Sequence, residues 1–212
     1  MKPIVKGSII TGLYLATLTC ISFSIITYVH EKTYETYVKA AEKDRLNKQM
    51  AQMLPDVRYD NNLIKSCKLY NSQQLTNGDD YEFYTAYRKG RPVAYIIKSV
   101  TMKGYGGAIG LLTSLNNRGE ILKVVITSQH ETPGLGDRVL PANSNWLEEF
   151  NGASLYNRKN FALTKDGGDF TYVTGATVTP RAIVNAEKDL LEYFSKKGNR
   201  LLSDKRCAID DE

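Results

Sequence analysis

The chain has 212 residues, 28 Lys and Arg against 23 Asp and Glu for a net charge of +5, and 42% hydrophobic residues, the balance of one folded domain with a short appendage. Three cysteines and two histidines, His30 and His130, are too few for a disulfide scaffold, a thiolate metal cluster or a His-ligated zinc enzyme, which leaves open only carboxylate sites for harder metals. The positive excess is spread without arginine-rich blocks, so composition gives no nucleic-acid footprint.

From Ser8 to Val29 the chain carries no charge, and at about 1.5 Å per residue such a run makes a helix of roughly 33 Å, long enough for a bilayer core of about 30 Å. The segment is predicted to span a membrane at residues 8–29. A cleavable signal peptide needs a small-x-small site, and Tyr28-Val29-His30-Glu31 offers none. Lys2 and Lys6 flank one end while Lys32, Lys39, Lys43, Arg45 and Lys48 follow the other, so local charge leaves the orientation open. Between Glu31 and Leu54 the apolar positions Tyr34, Tyr37, Val38, Ala41, Leu46, Met50, Met53 and Leu54 recur near helical spacing and Pro55 ends the pattern, which predicts an amphipathic connecting helix over 30–55.

Beyond Pro55 the residues 81–87 and 93–97 are strand-like and flank the turn-rich 88–92, a predicted hairpin. A second pair, 108–115 and 121–127, is joined by Asn116-Asn117-Arg118-Gly119-Glu120, whose Asn and Gly tolerate positive φ. With helices expected at 146–150 and 179–197, the fold class is α+β, a mixed and mainly antiparallel domain over 56–212 behind a single transmembrane helix. No regular βαβ alternation supports a doubly wound nucleotide fold.

Thr174-Gly175-Ala176-Thr177-Val178-Thr179-Pro180 lies between the strand-like 170–173 and the last helix, whose inward positions are predicted as Ile183, Ala186, Leu190, Leu191 and Phe194. Thr179 suits the N-cap, Pro180 the first helical position and Gly198 the far end. An ordinary cap needs nothing more. Hydroxyls crowded around two small residues at a helix N-terminus also suit an anion such as phosphate. His130-Glu131-Thr132-Pro133-Gly134-Leu135-Gly136-Asp137 reads by itself as a Pro/Gly loop closing a strand. Glu131 with Asp137, or with His130, is the only acid/base or metal pairing offered, and no Ser/His/Asp or Cys/His set accompanies it. Tyr105, in a Gly-flanked turn, either stacks on a ligand or joins the 14 tyrosines available to the core. Cys20 is an ordinary small residue of the apolar run. Cys67 and Cys207 close a loop of about 140 residues if the domain faces an oxidising compartment, and that pairing is adopted over two free thiols.

Taken together, TGATVTPRAIVNA at 174–186, HETPGLGDR at 130–138 and GYGGAIGLL at 104–112 closely resemble the G subunit of the Rnf (Rsx) electron-transport complex. The related C subunit of the sodium-pumping NADH:quinone oxidoreductase shares the tetrapeptide. The resemblance covers most of the chain and implies covalent FMN, held by a phosphoester on the last Thr of the tetrapeptide, Thr177, and installed from FAD by a flavin transferase. It implies a binding site of Thr174, Gly175, Ala176 and Thr179 around that acceptor, with Glu131 and Thr132 as polar contacts, Leu135 as an apolar face and Tyr105 beside the isoalloxazine. The family signature usually has Asp six residues before the acceptor, where this chain has Thr171 and its nearest acid is Asp169.

The resemblance further implies a cytoplasmic N-terminus at residues 1–7, an inner-membrane span, a periplasmic C-terminal domain, and partners among the membrane subunits of the complex, including a second covalent-flavin subunit. The expected function is electron transfer within a complex that couples ferredoxin and NAD chemistry to ion movement. A C subunit-like component of the sodium pump and a non-redox assembly subunit are the alternatives. A self-contained flavin reductase lacks a nicotinamide-binding motif.

Overall fold

The computed structural model describes residues 2–197 and 206–207. Helix α1 runs without interruption over Lys2–Met53, so the membrane segment and the connecting segment are one helix. No Gly or Pro occurs between Gly12 and Pro55 to break it. Within it Gly12–Glu31 has a mean hydropathy of 1.6 and is long and apolar enough to cross a membrane. Its large apolar side chains are exposed. The hydroxyls of Thr17, Thr19, Ser24 and Thr27 donate to carbonyls one turn back, which satisfies them without water. The chain divides into two compact units at Lys48/Gln49. Of the predicted connecting stripe, Met50, Met53 and Leu54 are buried and Tyr34 is exposed. The side chains of Tyr37, Val38, Ala41 and Leu46 lie outside the described residues, as does Gly198.

The second unit is built on five antiparallel strands in sequence order: β1 (Lys68–Asn71), β2 (Asp80–Arg88), β3 (Arg91–Thr101), β4 (Ile109–Asn116) and β5 (Ile121–Ser128). Both predicted hairpins form. Lys89 and Gly90 take φ of 50° and 72° between β2 and β3, the positive pair that matches strand twist. The Asn116 side chain accepts from the Arg118 and Glu120 N–H groups to close the β4–β5 turn. Short β1 and a four-residue helix α2 (Gln73–Thr76) fall below the length at which periodicity is readable.

Helix α3 (Val178–Lys197) lays Ile183, Ala186, Leu190, Leu191 and Phe194 into the core against Phe83, Tyr95, Ile97, Leu111 and Leu115, the inward face expected from its spacing. Fully burying such side chains is worth about 1.5–3 kcal/mol each. On the alternate positions Tyr84, Ala86, Ala94 and Ile96 are buried as well, so the sheet is covered on both faces. The edge of β2 that β1 is too short to reach is closed by segment 60–66. Asn61 donates to the Thr85 carbonyl at 2.9 Å and accepts from the Tyr87 N–H at 2.7 Å, while Ser66 Oγ accepts from the Thr85 N–H at 3.0 Å. Cys67 and Cys207 are joined by a disulfide beside a Lys68–Arg206 bridge.

Three expectations change. Residues 170–173 are not a strand: only Phe170 bridges, to Leu163. The backbone beyond it is spent on side chains, the Thr171 N–H on Glu149 at 2.8 Å and the Thr171 carbonyl on the Trp146 indole at 2.8 Å. The 146–150 helix is a 3-10 turn, Trp146–Phe150. Finally, α3 starts at Val178, two residues before the predicted first helical position at Pro180, so Thr179 lies inside its first turn rather than at the N-cap.

Candidate functional site

An aromatic cluster fixes the approach to the threonine-rich turn. Phe170 stacks on Phe150 at 4.7 Å and meets Phe161 at 4.6 Å, with the Arg158 guanidinium 5.0 Å from its ring centre. The chain then passes Thr171 without regular secondary structure and turns at Val173, whose carbonyl accepts from the Ala176 N–H at 3.1 Å. Gly175 has φ of 87°, a conformation that strains any residue with a Cβ. The Thr177 carbonyl accepts the first helical bond, from the Arg181 N–H at 3.2 Å, which makes Thr177 the cap residue of α3. Arg181 pairs in fork fashion with Asp166 at 2.7 Å, which raises the affinity of the guanidinium for its proton and lowers that of the carboxyl.

The three sequence motifs meet at one carboxylate. Glu131 is 6% exposed. Its Oε1 accepts from the Gly106 N–H at 3.1 Å and its Oε2 from the Thr179 hydroxyl at 2.5 Å. The glycines around it leave no room for larger residues. A Cβ on Gly104 would stand 2.6 Å from Glu131 Oε1, one on Gly106 would overlap the His130 carbonyl, and one on Gly136 would overlap Glu131 Oε2. A second tie joins the loop to the turn, where Arg138 Nη1 donates to the Thr174 carbonyl at 3.1 Å.

The predicted residues therefore divide. Thr174 and Gly175 are exposed, Ala176 and Thr177 half-buried, and Leu135, 43% exposed, reaches within 3.8 Å of the Cβ position at Gly175. Val178, the residue after Thr177, is also exposed and apolar. Thr132 is exposed and its carbonyl accepts from the Leu135 N–H at 3.1 Å. Tyr105 is 71% exposed, so it is not a core tyrosine. Glu131 and Thr179 face inward and bond to each other. Among the described residues no cluster of three His, Cys, Asp or Glu side chains is arranged to hold a metal.

Sequence reasoning assigned nothing to Arg138, Val178 or Glu149. Arg138 stood within the quoted loop motif, but its partner is a backbone carbonyl 36 residues away, which no local pattern signals. Glu149 binds both the N–H and the hydroxyl of Thr171, so a carboxylate stands in space beside the position where the chain lacks an acid. Glu149, Asp137, Arg138, Trp146 and Tyr172 line an open cleft of about 830 Å³ next to the turn, although Thr174 to Thr177 do not line it. One buried oxygen of Asp137, Oδ1, has no protein partner.

A family model described as FMN-binding domain matches residues 104–192, the span that contains all three motifs. The G subunit of the ion-translocating oxidoreductase complex of Vibrio cholerae serotype O1 is 35% identical over 192 residues, 90% of this chain and 91% of its own. The chain belongs to this G-subunit family. The corresponding protein of Vibrio parahaemolyticus is 34% identical over 204 residues, 95% of this chain and 96% of its own, and that of Shewanella piezotolerans 35% over 215, 100% and 99%. A member of this family carrying the domain is an FMN-binding component of an oxidoreductase, and the exposed turn beside Leu135 fits such a ligand. It has small residues where a bulky group must approach, a helix N-terminus for a phosphate, and apolar side chains for a flavin ring.

Proposed function

We propose that the protein is the membrane-anchored electron-transfer subunit of an Rnf-type complex and carries FMN covalently on Thr177. The observation that carries this reading is the position of Thr177 at the N-cap of α3. The residue is only half-buried there, two residues from the positive-φ Gly175, which the exposed Leu135 approaches. Attachment forms a bond from Thr177 Oγ to the FMN phosphorus, breaks the pyrophosphate bond of FAD, releases AMP and gives up the hydroxyl proton. A flavin transferase performs that step. Once bound, the flavin accepts and releases electrons.

The chain's own residues hold it. The first N–H groups of α3 lie at the positive end of the helix dipole and favour the phosphodiester charge. Leu135 and Val178 offer apolar surface to the ring, Thr132 and Asp137 offer polar atoms to the ribityl and ring edges, and Tyr105 stands exposed nearby. A covalent link suits a carrier whose flavin is open for exchange, since a dissociable one is lost to dilution outside the cytoplasm. The Cys67–Cys207 disulfide supports a periplasmic domain, because such bonds persist in oxidising compartments. The other membrane subunits of the complex, one bearing a second covalent flavin, are the partners this reading implies. Co-expression with a flavin transferase should give a fluorescent band on denaturing electrophoresis, lost in Thr177→Ala. Fluorescence retained in that variant would move the attachment elsewhere.

A further inference from the structure

We propose that Glu131 is a positioning residue for flavin attachment, its buried carboxylate fixing through Thr179 the first turn of α3 that presents Thr177. This rests on Thr177 being the acceptor. It assigns Glu131 a task other than touching the flavin.

A carboxylate taken out of water is strongly unfavourable unless its oxygens are satisfied. Glu131 spends both oxygens on directed bonds. Oε1 takes the Gly106 N–H of the β3–β4 turn and Oε2 takes the hydroxyl of Thr179, two residues beyond the acceptor. A carboxylate only accepts, so both partners must donate, and the Thr179 hydroxyl is held in one orientation. Charge-assisted bonds of this kind are about twice as strong as neutral ones. Gly104 and Gly136 leave the carboxylate its space, since a Cβ on either would stand within 2.6 Å of one of its oxygens, and the two hydrogen bonds fix where it lies. A helix start tied in this way keeps Thr177 at one angle. Nucleophilic attack on phosphorus needs such alignment, and a displacement of about 1 Å can cost on the order of a hundredfold in rate.

The test uses full-length protein in membranes, co-expressed with a flavin transferase under a timed promoter, with flavin fluorescence per protein giving the rate of attachment. Glu131→Ala and Thr179→Val should each slow attachment at least tenfold, and the double variant should be no slower than Glu131→Ala alone, since that substitution already removes the Thr179 interaction. Thr179→Ser keeps the donor, and in Glu131→Gln the amide oxygen accepts from the Gly106 N–H while the amide NH2 donates to the Thr179 hydroxyl, which turns to accept, so both should stay within about threefold of wild type. A purely structural staple would lower protein yield and melting temperature without this rescue pattern. If Glu131→Ala fails to accumulate, the Thr179→Val and Thr179→Ser pair decides. Attachment at the wild-type rate in Thr179→Val overturns the inference while leaving Thr177 as acceptor. Absence of flavin from the wild-type protein overturns the acceptor assignment itself.

Discussion

Glu187 is fully buried on α3. Its Oε1 accepts from the Thr113 hydroxyl at 2.7 Å and its Oε2 has no protein partner. Burial pushes its carboxyl up to about 8 from 4.5, against the smaller opposing effect of the Thr113 bond. The folded state therefore binds this proton more tightly than the unfolded chain. The resulting stability is fully present below about pH 4.5 and is lost as pH rises toward about 8, because the unfolded chain ionises first. Asp166 works in the opposite sense, its carboxyl lowered by Arg181, but its window lies at lower pH. Melting temperature should fall between about pH 5 and pH 8 in the wild type and stay nearly level across that window in Glu187→Gln. A parallel fall in both proteins would remove Glu187 as the cause.

Elements marked by a long apolar run or a long periodic pattern were legible in the sequence: the uncharged run of α1, the two hairpins, and the inward stripe of α3. The pieces that missed were short or held by remote side chains. Residues 170–173 have strand composition, yet Glu149 and Trp146 take their backbone groups, and β1 has too few residues to show alternation. The site was legible as three motifs. Their meeting at Glu131 was not, because it depends on two hydrogen bonds spanning 25 and 48 residues. Segment 60–66 is a similar case. Its Asn61 closes the β2 edge with two bonds, and Asn61→Ala should cost about 1–3 kcal/mol by leaving the Tyr87 N–H and Thr85 carbonyl unpaired. Denaturant unfolding with an unchanged slope checks this, and a shift below about 0.5 kcal/mol would mean that water replaces Asn61 at that edge.

At the scale of the molecule, the disulfide closes a loop of 140 residues, which in a chain-entropy account contributes on the order of 5 kcal/mol. FMN attached as proposed should add to this. The α3 N-terminus would contribute roughly 0.3–1 kcal/mol toward the phosphodiester charge, and the ring would add about 25 cal/mol for each Å² of apolar surface it buries on Leu135 and Val178. The domain from Glu31 onward should melt higher with FMN than without it, and Leu135→Asp should remove most of that difference while leaving attachment intact. Equal melting temperatures for the two wild-type forms would mean that the flavin is tethered without a seat.

The ester on Thr177 is decided by the intact mass of the protein taken from membranes that contain a flavin transferase. The chain should be heavier by one FMN less one water, with the added mass on the peptide that holds Thr174 to Arg181 and absent from Thr177→Ala. An unmodified wild-type mass, or the same addition in Thr177→Ala, would contradict it.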